Sequence, residues 1–117
     1  MALSRMAQEF AAEIRQQDWS DAPYRADRAG HQRNTDSLSK RSKDVLSSVE
    51  TEILRMNVMW ATAQVLGHAD PNFDIYEYAE ACGVNTRNSR GGKNGVIEAG
   101  IRRHQGRYQQ PGTLDWT

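Results

Sequence analysis

Cysteine is nearly absent from this 117-residue chain, and the single Cys82 excludes an intramolecular disulfide and any multi-cysteine zinc site. No N-x-[ST] acceptor for N-glycosylation occurs either, so a reducing compartment is expected. No apolar run approaches the length of a membrane span, and Met1 to Gln17 carries Arg5, Glu9, Glu13 and Arg15, charges that a signal-peptide core excludes. The expected location is therefore cytoplasmic, or within a particle assembled in a reducing compartment, with no membrane partner. Apolar residues are scarce as well, at 38% with a mean hydropathy of -0.80, below the roughly 45 to 50% (glycine counted) of ordinary domains. At 13.2 kDa only about two-thirds of the unfolded surface can be buried, so a partner or a second copy is a physical route to covering what the chain cannot.

Net charge is absent too, but zero hides a division along the chain. Residues 1 to 43 sum to +2, residues 44 to 82 to -6, residues 83 to 108 to +5, and Asp115 gives the last residues -1. Such asymmetry predicts either a basic face for nucleic acid or a basic segment folded back on an acidic one.

What apolar material there is falls in patterned segments. Leu46, Val49, Ile53, Met56, Trp60 and Ala63 are separated alternately by three and four residues, which is a heptad seam. Met59, Ala61, Val65 and Leu66 add apolar groups around the rest of the circumference, so this helix must be covered by something. Leu3, Met6, Ala7, Phe10, Ala11 and Ile14 predict an amphipathic helix over residues 2 to 17, with Arg5 and Glu9 paired on its wet face.

Residues 18 to 36 read as a polar linker, with Trp19 and Tyr24 as its anchors. Asp36 or Ser37 can cap a long central helix ending at Gly67, while the Ser47 to Glu50 spacing allows a later start. Asp70 and Pro71 suit the start of a third helix, and Gly83 its end. Val84 to Gly95 predicts a loop, and Val96 to His104 a short last helix with a Glu98 to Arg102 pair, or else a hairpin. The fold class is thus all-α: a small bundle of three to four helices with one long central helix, a basic glycine-rich loop and an irregular C-terminal tail. Its divisions are residues 1 to 17, helix; 18 to 36, linker; 37 to 108, helical core; and 109 to 117, a tail holding isolated Leu114 and Trp116.

Chemistry-bearing patterns are weak. Tyr78, Ala79, Cys82, Gly83 and Val84 resemble the first half of a helix-turn-helix unit, whose second helix would present Thr86, Arg87, Asn88 and Arg90 to a groove. Gly91 and Gly92 interrupt that helix. Arg87 to Gly95 has the make-up of an anion-binding loop but lacks the phosphate-loop spacing, since no Ser or Thr follows Lys93. His31, His68 and His104 lie in three separate segments without ligand spacing, and Cys82 sits on an apolar stripe as a small core residue would. Asp70, Asp74, Glu77 and Glu80 suit the dipole of the third helix.

No catalytic residue, metal, cofactor or small-molecule substrate is expected, and the chain reads as a non-enzymatic assembly or protein-interaction subunit. Its contact residues would be Leu46, Val49, Ile53, Met56 and Trp60, supported by Leu3, Met6, Phe10 and Ile14. Virion components and inhibitor proteins share this make-up. The alternative is a nucleic-acid-binding module built on Arg87, Asn88, Arg90, Lys93, Arg102, Arg103 and Arg107 within residues 75 to 108.

Overall fold

A computed structural model describes residues 3–113 as a mostly helical domain with one small hairpin. Helix α1 spans Arg5–Gln16 and starts at Ser4, whose hydroxyl accepts from the Ala7 amide at 3.2 Å. It buries Ala7, Ala11 and Ile14, and the two alanines let its backbone approach the core closely. Helix α3, Ile75–Ala81, lies alongside and runs the same way: the Leu3 amide donates to Glu77 at 3.1 Å, and Arg15 reaches Gly83.

Helix α2 spans Ser48–Ala69, about 33 Å at 1.5 Å per residue. It begins at the later of the two anticipated starts. Ser47 accepts from the Glu50 amide at 3.1 Å while Glu50 accepts from the Ser47 amide at 2.9 Å, a reciprocal box that satisfies two end groups. The earlier start fails because Asp36 is occupied elsewhere, and residues 37 to 47 are non-helical.

That occupation is the main departure from the expected linker. Residues 17 to 47 hold only one short 3-10 turn, Ala22–Tyr24, yet they are wired by charge. Asp21 is fully buried; its Oδ2 accepts from Arg33 at 3.0 Å and from the Ser42 amide at 3.3 Å, and its Oδ1 lies 3.6 Å from Arg25. Asp36 accepts from Arg25, from Arg28 at 2.7 Å and from the Gln32 amide at 3.1 Å. Arg33 and Arg25 then donate to the carbonyls of Ser42 and Lys40, tying both arms of the loop together. Trp19 does serve as an anchor, donating from its indole to the Ile14 carbonyl at 2.8 Å, whereas Tyr24 is exposed. Alternating charges at the surface of a sequence are easily taken for solvated ones; here they face each other.

Two carboxylates of this loop, Asp36 and Asp18, give it a pH dependence. Hydrogen bonds from Arg28 and Arg25 hold Asp36 down to about 2, and Asp18, although burial pushes it up, is carried below its ordinary value by bonds from Ser20 and Arg33. A depressed carboxylate contributes stability that is present above its unfolded value, near 4, and is lost as the pH falls through the folded one. Relative to its cleavage of an unfolded reference peptide at each pH, pepsin should therefore cut within residues 17 to 47 much faster at about pH 2 than at about pH 4; equal normalised rates would contradict the ionic wiring.

Asp70 does not open the third helix. It closes α2, takes the Asn72 amide at 2.9 Å and makes a separate turn with Phe73; Asp74 caps α3 through the amides of Tyr76 and Glu77. Gly83, at φ +86, ends α3 as anticipated, with the Val84 amide bonded to the Ala79 carbonyl at 2.9 Å. The last helix, α4, covers only Val96–Ala99. It stops because Gly100 packs under the Trp60 indole, whose N–H donates to the Ile97 carbonyl at 2.9 Å. Arg102 thereby falls outside the helix, so the expected spacing with Glu98 is lost. A hairpin follows, β1 Arg103–His104 paired with β2 Arg107–Tyr108, turning through Gln105 and Gly106 at φ 53 and 77.

The core joins Met59, Ala63 and Leu66 of α2 to the inner faces of α1 and α3, with Ile97 and Ile101 closing it. Buried Gln64 fastens the hairpin: its amide nitrogen donates to the carbonyls of Arg102 and Gln109, and its oxygen accepts from the Arg102 amide, all at 2.9 to 3.0 Å. Gln109, placed in the tail by the sequence, thus belongs to the core, while residues 114–117 lie outside the described residues. Among the described residues no helix is long and apolar enough to cross a membrane.

Candidate interaction surface

The seam on α2 changes character along its length. Ala63 is buried and Trp60 is half-buried against Gly100 and Ile97, so the C-terminal end is covered by the chain itself. Met56 and Leu46 are half-buried, but Val49 and Ile53 stand 67% and 53% exposed. One turn apart on one face, they form an open apolar strip. The charged loop covers the start of α2 only partly, through the Leu46 amide, which donates to the Ser20 carbonyl at 2.7 Å.

On α1 the anticipated stripe divides in two. Ile14 is buried and Leu3 half-buried, whereas Met6 and Phe10, four residues apart, remain 60% and 42% exposed. The inward positions belong to Ala7 and Ala11, because α1 is clamped close to its neighbours and has no room for larger groups there. Ile14 and Trp60, both expected at the contact, are therefore internal packing residues.

The basic candidates are spread out. No helix forms where a recognition helix would start: residues 86 to 95 form a closed turn, with Arg87 and Lys93 bridged, so the helix-turn-helix resemblance ends at Val84. The amides of that turn are also engaged from within, since Asn88 takes those of Arg90 and Gly92 on its side chain and that of Gly91 on its carbonyl. The backbone cradle that would have held a phosphate is filled by Asn88. Thr86 is buried and donates to Glu80 at 2.8 Å, and Arg87 lies 3.8 Å from the same carboxylate, so here the basic segment does fold back on the acidic one. Arg102 is half-buried under the hairpin; Arg90, Lys93, Arg103 and Arg107 remain at the surface.

Cys82 is fully enclosed, and burial, partly offset by a hydrogen bond with Tyr78, pushes its thiol up to about 11. A thiol held that far from its thiolate is a poor nucleophile. Burial likewise raises the Tyr78 phenol, which shares a 2.7 Å hydrogen bond with Thr62. Among the described residues no three His, Cys, Asp or Glu side chains are grouped as metal ligands. The chain matches no protein-family model, no curated protein and no solved structure.

Proposed function

We propose that this protein is a non-enzymatic assembly subunit that docks through the N-terminal half of α2. Support comes above all from the exposed pair Val49 and Ile53, flanked by half-buried Leu46 and Met56, on a helix that the chain covers only at its other end. The occupant fitting a heptad strip is another amphipathic helix, supplied by a second copy or by a partner protein. Met6 and Phe10 offer a further apolar contact on α1.

Light scattering across concentration tests this. Wild type should gain mass with concentration, or form a defined complex with its partner, and Ile53→Glu should abolish either while melting cooperatively, as the dilute wild-type monomer does, because residue 53 is outside the core. A wild-type monomer at every concentration, with no partner recovered, would overturn the proposal.

A further inference from the structure

At the opposite end of α2, two adjoining clefts share a wall made by Pro71, Phe73, Arg103 and Tyr108. The larger, about 690 Å³, lies between the end of α2 and the hairpin; the smaller, about 310 Å³, continues toward Tyr76 and Lys93. Each is the size of a small-ligand site. Cations and rings alternate along them. Lys93 Nζ lies 4.7 Å from the Tyr76 ring centroid, the Arg103 guanidinium 4.9 Å from that of Tyr108, and Phe73 meets Tyr108 edge-on at 6.0 Å. Holding the cations against rings reduces the ordering cost that mobile side chains would add on binding.

The charges facing the clefts are mixed. The larger has Arg103, Arg107 and His68 against Asp70; the smaller has Lys93 and Arg103 against Asp74 and Glu98. Asp70 and Asp74 already accept backbone amides, and the negative end of α2 amounts to roughly half a charge, less than the two arginines beside it. Over both clefts three cations meet three carboxylates, so an anion is favoured only on the hairpin side, where Arg103 and Arg107 face Asp70 and the end of α2. That same cleft is lined by the rings of His68 and of Phe73, which is half-buried against Tyr78 and Tyr108. A plain phosphate would leave those rings unused, and duplex DNA would need an element protruding into its groove, which the closed 86 to 95 turn does not provide.

We propose that the paired clefts take two successive unpaired nucleotides of a single nucleic-acid strand, with phosphates on Arg103 and Arg107 and bases against Phe73 and His68. Arg87 and Arg90 lie off this path. This site is independent of the apolar strip on α2 and survives the failure of that proposal.

Fluorescence anisotropy of the full chain with labelled ten-nucleotide rU and dT strands, a duplex of equal length and a labelled poly-glutamate peptide provides the test. Single strands should bind at about 50 mM salt, with a log-log salt slope near -1.4, as about -0.7 for each of two phosphates requires. Arg103→Ala with Arg107→Ala should weaken binding at least tenfold. Phe73→Leu should weaken it about tenfold at unchanged slope, because stacking is insensitive to salt, whereas Arg87→Ala with Arg90→Ala should change it less than about twofold. No binding by any strand, equal affinity for duplex or poly-glutamate, or full binding by the Arg103/Arg107 variant would each overturn the assignment. The arginine variant alters surface side chains only, so its result stands even if Phe73→Leu fails to fold.

Discussion

Replacing Asp21 by alanine is expected to lower the stability of this protein by about 3 to 5 kcal/mol. One carboxylate there, 0% exposed, accepts a charge-assisted bond from Arg33 and a backbone bond from Ser42, and faces Arg25, itself only 6% exposed. Each charged hydrogen bond contributes about 1.5 to 3 kcal/mol, and removing one partner of a buried set leaves the others desolvated without compensation. Against a typical total of about 5 to 15 kcal/mol that is a large fraction, and the melting temperature should fall by roughly 10 to 20 °C. Arg28→Ala provides the contrast. Its guanidinium is 56% exposed, and its partner Asp36, though nearly buried, keeps Arg25, so the variant should lose only about 1 kcal/mol. If Asp21→Ala melts near wild type, residues 17 to 47 are held by Trp19 and the backbone rather than by buried charge.

Gly67→Ala should reverse its usual sign. Inside an exposed helix that substitution gains about 1 kcal/mol from backbone propensity, but a methyl group at residue 67 would overlap the Tyr108 ring. Withdrawing the ring would cost its contacts, because Gln64 holds the hairpin backbone in place and Phe73 meets the ring edge-on. Overpacking of this kind costs about 1 to 3 kcal/mol. In a Tyr108→Ala background the obstacle is gone, and the same substitution should become stabilising by several tenths of a kcal/mol or more. The two changes should therefore couple by about 2 kcal/mol in a thermal double-mutant cycle. Additive effects would mean that the ring does not lie on α2 in solution.

Periodicity made the helices legible before any coordinates: the α1 stripe, the heptads of α2, and the glycine that ends α3 all follow from spacing. Boundaries were less so. Ser47 and Glu50 competed with Asp36 for the start of α2, and the contest was decided by Arg25 and Arg28, which lie far from α2 in sequence and claim Asp36. Gly67 looked like a terminus because left-handed caps favour glycine, yet it is buried in the last turns of the helix to admit Tyr108, a contact 41 positions away that no local pattern records. Of the residues expected at a contact, Val49, Ile53, Met6 and Phe10 are open, whereas Ile14 and Trp60 turned inward because α1 and Gly100 approach so closely. Gln64 carried no signal at all: one glutamine among apolar neighbours becomes a clamp only when Arg102 and Gln109 are brought to it.

The position of that clamp has a mechanical consequence. Gln64 fixes the hairpin to one end of a continuous helix, and Val49 lies about 22 Å from it along the axis at 1.5 Å per residue. Anything gripped at the first turns and anything gripped at the hairpin would be kept apart by a stiff spacer, and neither would crowd the other.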